Sequence, residues 1–491
     1  MTYLRASEIG CALDCDLYDG INKKTGGKAT DDAPIINAAM AGATADHPIT
    51  LIIDGAALIS GLFLPAGGHW SIAGLGCGTG FFVKRGTNND GIHNGPPEVA
   101  IPFDPGPPAP ARGQNVSLSN FTLNGNQGDG RHGNSTSGTR QGSHEAWFCG
   151  INLMNLDNVH LENVVVVNTP AFHFRLSNVG NVTAKGCVMQ SFGLSTDGLH
   201  FDGPANDITI SKCNFSCGDD SIALNCPEGF SGNISRVTVT NCTFDSLSLM
   251  RLYTTYGSDI RNRIDTVSVS NCTGTLTEAA FLIGLSSGSV ANSVASLTVS
   301  DCNLTAPAIL GMAENFGDIT LKNVTFTPSQ EHVVWNKPIT NRLSAFLRPS
   351  PLYGGGTCVG SNLVLENCTL VRNKDMHAAA VILENGSNIA NLVFNGFAML
   401  DSESFAPLPG LMMMGRGSVD QLVLHSVSQS NIQAAVSADG FAKIGSVWGE
   451  GVLATQWEFP DAVMADGVPY ISASSGLPSI KIAGVVELYT G

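Results

Sequence analysis

Charge is scarce in this sequence, and positive charge is scarcest. Only 13% of the 491 residues are Asp, Glu, Lys or Arg, and 25 Lys plus Arg face 41 Asp plus Glu, a net charge of −16. That balance argues against nucleic acid or an anionic membrane surface as partner. It also weighs against a strongly anionic polysaccharide, unless the few cations converge at one site. No run of about 18 apolar residues marks a membrane span. The opening "MTYLRASEIGCALDCDLYDG" lacks the basic start and continuous apolar core of a signal peptide. An extracellular or cell-envelope location is therefore expected only where a leader has been removed. Paired CxxC motifs of zinc type are missing too, since "CALDC" is CxxxC with no second pair.

Glycine is abundant, at 56 residues, and apolar residues make up 43%. Little charge with much Gly, Asn, Ser, Thr and Val describes β-structure with many short turns. An internal repeat gives that structure its form. Units such as "LDNVHLENVVVVN", "ANDITISKCNFSC", "ISRVTVTNCTFDS" and "VASLTVSDCNLTA" share one plan: a short alternating strand, a polar turn residue, then an apolar residue opening another strand. The apolar residue falls at Val164, Cys187, Cys213, Cys242, Cys272, Cys302, Val324, Cys368, Phe397 and Val427. Successive gaps are 23, 26, 29, 30, 30, 22, 44, 29 and 30 residues, and the gap of 44 implies an insertion or an unrecognised turn. Strands alternating by two at this period predict an all-β, single-stranded, right-handed parallel β-helix, a solenoid whose coils stack on one another.

Six of the 13 cysteines occupy the repeat slot that Val and Phe fill elsewhere. A stack of free buried thiols is the expected state, with disulfides between adjacent coils as the alternative. The turn residue before the slot is Asn at 163, 241, 271, 323 and 367, which predicts left-handed backbone and an asparagine ladder. An N-terminal capping helix is expected in "ATDDAPIINAAMAGA", with Thr30 as N-cap, Asp31 and Asp32 in its first turn, and Ile35, Ile36, Ala38 and Ala39 buried. The expected organisation is 1–45 for the N-terminal segment and helix, 46–430 for the β-helix, and 431–491 for a C-terminal cap.

Two neighbouring coils carry the groups that could do chemistry. "GLSTDGLHFDG" places Asp197 about one coil before Asp219 and Asp220 of "FSCGDDSIALN". Aligning Asp197 with Asp220 sets Leu199 over Ile222, His200 over Ala223 and Phe201 over Leu224. In "TPAFHFR", Phe172 and Phe174 are assigned to the core and His173 to the outer face. In "SLSLMRLYT", Met250 and Leu252 are assigned to the core and Arg251 outward, with Tyr253 beside it. The expected groove strip is thus Asp197, Asp219 and Asp220 for catalysis, with His173, His200, Arg251 and Tyr253 contacting substrate. Trp147, in a loop region before the groove, is a candidate for stacking on a sugar.

"STDG" followed one coil later by "CGDDSIAL" resembles the polygalacturonase-type glycoside hydrolases, with their N-T-D and G-D-D motifs on a right-handed β-helix. "TDDAPIINAAM" and "NFTLNGN" resemble the wider pectin-lyase-like superfamily. The resemblance implies that Asp219 or Asp220 protonates the leaving oxygen of a glycosidic bond. Asp197 and the remaining aspartate then activate water, with inversion. Three features depart from the family. Ser195 replaces the first Asn of the N-T-D motif, "FDSLSLMRL" has no histidine where G-H-G belongs, and "TEAAFLIGLSSG" has no basic residue where R-I-K binds the substrate carboxylate. The last loss points to a neutral or differently decorated glycan rather than polygalacturonate.

The chemistry fits these residue types without the name. Acid and base carboxyls stand about 6.5–9.5 Å apart in inverting glycosidases and about 5–5.5 Å apart in retaining ones. Crowded carboxylates cannot all ionise easily, so a proton donor is available among them. The expected function is a glycosidase acting on a polysaccharide or oligosaccharide, without a cofactor. The alternatives are Ca²⁺ held by Asp197, Asp219 and Asp220, a polysaccharide lyase or intramolecular fructan-type transferase, and a tailspike-like glycan-binding or adhesion protein. A homo-oligomer is compatible with all of these.

Overall fold

Parallel pairing between successive coils runs through a computed structural model that describes residues 1–87, 89–95, 111–127, 148–193, 195–256, 260–283, 293–311, 315–329, 344–348, 359–372, 378–383, 386–402, 411–414, 417–429, 436–438, 443–450, 458–459, 470–472 and 481–482. The chain divides into two units, Met1–Leu247 and Ser248–Gly491. Both are parallel β-helices, as the repeat predicts.

In the first unit one face stacks Thr2–Arg5, Ile49–Ile53, Gly68–Gly74, Gly113–Ser119, Ile151–Glu162, Phe174–Lys185, Leu199–Ser211 and Ile234–Thr240 in parallel register. A second face stacks Ala56–Ile59, Gly80–Val83, Thr122–Asn124, Val165–Val167, Val188–Gln190 and Asn214–Ser216. Alternation decides what each strand buries: Val182, Ala184, Ile208 and Ile210 point inward, while Thr183 and Thr209 do not. The second unit repeats the plan, for example through Val294–Ser300, Asn315–Lys322, Val359–Glu366, Asn388–Asn395 and Ser418–His425. There Thr325–Pro328 pairs directly with Thr369–Arg372, so the 44-residue gap is one coil carrying an insertion rather than a missed turn. Parallel pairing continues past residue 430, through Lys443–Glu450.

The turn slot is left-handed throughout. Asn163, Asn241, Asn271, Asn323 and Asn367 have φ of 52, 56, 54, 53 and 51°, as expected. Asp301 and Lys212 take the same slot at 55° each. The slot therefore selects backbone conformation first, and Asn satisfies it best. Cys187, Cys213, Cys242, Cys272, Cys302 and Cys368 are buried thiols outside any disulfide, each directed at the carbonyl two residues earlier.

The helix is shorter than its sequence suggests. It spans Ala33–Met40, follows Asp32 as N-cap without a side-chain capping bond, and buries Ala33, Ile36 and Met40; Ala38 is exposed. Thr30 is not the cap, for its hydroxyl donates to Asp14 Oδ2 at 3.0 Å and the helix begins only after Asp31 and Asp32. Asp32 accepts from the amides of Ala12 (2.7 Å) and Leu13 (3.0 Å). Asp31 accepts from the Ser60 amide and the Lys84 amine. Among the described residues, no helix is long and apolar enough to cross a membrane.

Candidate active site

The register between coils fixes the site. Leu199, His200 and Phe201 pair with Ile222, Ala223 and Leu224, the expected alignment. Just before that ladder the chain turns sharply in both coils. Ser195 sits at φ 61°, and its amide donates to Asp219 Oδ2 at 2.7 Å. Thr196 Oγ1 donates to the Gly193 carbonyl and accepts from the Gly218 amide, tying the two turns together. Gly218 has no room for a side chain, because a Cβ there would run into the backbone of Gly193. This close approach brings Asp197, Asp219 and Asp220 together, with one oxygen of each within 4.8 Å of the others. The three are 3%, 5% and 1% exposed.

Asp197 is gripped by two histidines. His173 directs its amide and Nδ1 at the Asp197 carbonyl, each at 2.8 Å. Burial pushes His173 down to about 4 against the pull of the Asp197 and Gln190 carbonyls, so the ring is neutral and Nδ1 is the donor. His200 Nδ1 lies 2.7 Å from Asp197 Oδ2. Its Nε2 reaches Asp202 Oδ1 at 3.0 Å and Glu228 Oε2 at 2.9 Å. Burial alone would lower His200, but the hydrogen bonds to Asp197, Asp202 and Glu228, with the charge of Asp202, outweigh it and hold the group well above the ordinary histidine value. His200 is therefore an imidazolium in a buried ionic network that Arg175 completes, its Nε 2.8 Å from Asp202 Oδ2.

One expectation fails here. His173 and His200 are 0% and 2% exposed, with their rings turned to the protein rather than outward. Both hold Asp197, His173 at its backbone carbonyl and His200 at its carboxylate. Phe174 and Phe172 are both buried, as assigned, Phe172 in a cluster with Cys149 and Ala171. Phe172 stacks on the His200 ring, with centroids 3.8 Å apart and planes 15° apart. Arg251 and Tyr253 belong to the second unit, where the Arg251 guanidinium lies 5.2 Å from the Tyr253 ring centroid and Tyr253 is 7% exposed. Trp147 lies outside the described residues.

The network adds residues that the sequence reading passed over. Arg175 is two residues after His173, and Asp202 two after His200, so alternation puts each on its neighbour's face. Glu228 carries no such signal, for it follows the strand Asp220–Asn225 in a turn where the Asn225 amide side chain also holds it. His200, Asp202 and Glu228 are grouped closely enough for a metal. Their mutual contacts, at 2.9–3.0 Å, are also ordinary hydrogen-bond lengths for an imidazolium between two carboxylates. Arg175 on Asp202 adds a side-chain positive charge to this pocket.

Residues 111–306 match the family described as glycosyl hydrolases family 28. That stretch is less than half of the chain, and it contains both turns that carry the matched motifs. No curated protein matches the sequence. Among solved structures, a family 28 exopolygalacturonase of Yersinia enterocolitica is similar at TM-score 0.56 and 12% identity, covering 86% of this chain and 78% of that one. The surface protein and adhesin PfbA of Streptococcus pneumoniae is similar at TM-score 0.52 and 12% identity, over 89% and 100% of the two chains. The tailspike protein of E. coli bacteriophage HK620, solved with a pentasaccharide, is similar at 0.51 and 11%, over 87% and 78%. At such identities the likeness is one of fold.

Proposed function

We propose that the chain hydrolyses a glycosidic bond of a polysaccharide or oligosaccharide with Asp197, Asp219 and Asp220, by inversion, at sugars without a carboxylate. The observation that carries the reading is the meeting of the three carboxylates within 4.8 Å, at the two turns bearing the matched motifs. The glycosidase-family segment covers those turns. Two of the acids hold a fixed donor, His200 on Asp197 and the Ser195 amide on Asp219. In this reading Asp197 and one of the adjacent pair hold and deprotonate the water, and the other of the pair protonates the leaving oxygen, a role we give to Asp220. The closest oxygens are nearer than an inverting pair's usual 6.5–9.5 Å. Three acids relieve this, because two can share the water while the third serves the leaving group.

The reading is tested by incubating the chain with a panel of neutral and acidic polysaccharides and following new reducing ends and their anomeric form by NMR. Hydrolysis with inverted configuration, abolished in Asp197→Asn, is the expected result. A product absorbing in the ultraviolet through a new double bond would make the protein a lyase. Glycan binding without turnover, unchanged in all three Asp→Asn variants, would make it a binding protein like the adhesin or tailspike.

A further inference from the structure

Cations are few in this chain, yet some gather in one place away from the acid cluster. A cleft of about 880 Å³ in the first unit has thirteen lining residues, of which Lys28, Lys84 and Arg85 are basic and only Asp19 is acidic. Across the chain 25 of 491 residues are basic and 41 acidic, so the cleft reverses the overall balance. Lys84 is anchored by Asp31 at 3.0 Å. Lys28 and Arg85 are exposed and form no ion pair among the described residues. Asp19 accepts from the amide of Ile21, closing its own turn. The floor is apolar, formed by Leu58 and Phe82, which are 7% and 5% exposed. An apolar floor under a basic rim suits a ligand with a C–H face and an anionic substituent.

Its place in the fold gives that ligand an address. Phe82, Asn124, Val167, Gln190 and Ser216 pair in one column through successive coils. Two residues beyond each stand Lys84, Asn126, Thr169, Phe192 and Gly218, along one edge of the unit. Lys84 and Asn126 line the cleft, and Gly218 adjoins Asp219 of the acid cluster. Four coil steps of about 4.8 Å put the cleft about 19 Å from the cluster on the same edge, a span of several sugar units.

We propose that this cleft is a remote subsite for an anionic group, a carboxylate or a sulfate ester, borne by the same glycan whose uncharged sugars reach Asp197, Asp219 and Asp220. The inference rests on the glycosidase reading for its ligand, and it adds recognition of charge several sugars away from the bond that breaks. It accounts for a site with no R-I-K arginine or lysine in a chain that still concentrates cations on the same edge.

The test is calorimetric titration of the full chain as Asp197→Asn, beside wild type, with size-matched neutral, carboxylated and sulfated oligosaccharides. At low salt at least one anionic series should bind about tenfold or more tightly than the neutral one, and the advantage should close near 1 M salt. The double variant Lys28→Glu, Arg85→Glu should abolish that advantage while its Tm stays within about two degrees of the parent. Whichever anion gains identifies the substituent. Equal affinity for all three series, or an advantage that survives the double variant, would overturn the proposal. Because binding is read without turnover, an anion preference in a wild type that cleaves nothing would sink the hydrolase reading and leave the subsite standing.

Discussion

His200 Nδ1 and Asp197 Oδ2 lie 2.7 Å apart where neither residue is more than 3% exposed. The pair joins the three-carboxylate cluster to a second buried group, Asp202, Glu228 and Arg175. Asp197 thus belongs to two charge clusters at once, and His200 is the cation between them.

Removing that cation should be costly. His200→Leu removes the imidazolium that bonds Asp197, Asp202 and Glu228, and breaking a buried ionic network in this way costs about 3–5 kcal/mol. Glu228→Gln should cost less, because His200 keeps Asp197 and Asp202. Adding Glu228→Gln to His200→Leu should recover part of the loss. Urea denaturation of the three variants checks the order. A His200→Leu chain within about 1 kcal/mol of wild type would show that the network is not ionic.

The two histidines should pull stability in opposite directions with pH. His200 has a folded value above its unfolded one, so its contribution is complete below about pH 6.5 and is lost as pH rises through the folded value. His173 is pushed down to about 4, so the unfolded chain takes up a proton that the folded chain refuses as pH falls from about 6.5 to 4. That costs about 3 kcal/mol at the acid end. His173→Gln should flatten the acid limb of a Tm-against-pH curve and leave the alkaline limb in place. An unchanged acid limb would mean that the ring is charged in the folded state.

Much of this arrangement was legible as periodicity. The repeat locates the coils, and the one-coil offset between Asp197 and Asp220 sets Leu199 over Ile222, the register found. Alternation was applied to His173 and His200 but not continued to Arg175 and Asp202, so two acidic and basic partners were missed and both rings were assigned to solvent. What alternation could not supply is depth, since a side chain on the outer face of a strand is buried wherever a turn folds over it. Glu228 arrives from such a turn. The helix start is hidden for a related reason: Thr30 looks like an N-cap, but its hydroxyl serves Asp14, and Asp32 serves the distant Ala12 and Leu13 amides.

Gly218 should not tolerate a methyl group. A Cβ there meets the backbone of Gly193, which cannot swing aside as a side chain would. Gly218→Ala should therefore separate the two turns, weaken the Thr196 link, and cost about 1–3 kcal/mol by overpacking. Activity should fall further than stability does, since the turns position Asp197 and Asp219. Measuring kcat well below the variant's Tm separates the two effects. A variant with wild-type kcat would show that the close approach is not needed for the acids to meet.

The division of labour among the three acids can be read from the leaving group. A proton donor matters when the departing alkoxide is poor and matters little when it is a nitrophenolate, which leaves without help. Water activation is needed in both cases. On a natural glycan all three Asp→Asn variants should lose about 10²–10⁴-fold in kcat. On a nitrophenyl glycoside of the same sugar, Asp220→Asn should recover most of its activity, while Asp197→Asn and Asp219→Asn stay impaired. Recovery in Asp219→Asn instead would exchange the roles of the adjacent pair, with the Ser195 amide then holding the acid. Recovery in Asp197→Asn would remove it from the water-activating pair and with it the reason for an imidazolium at His200.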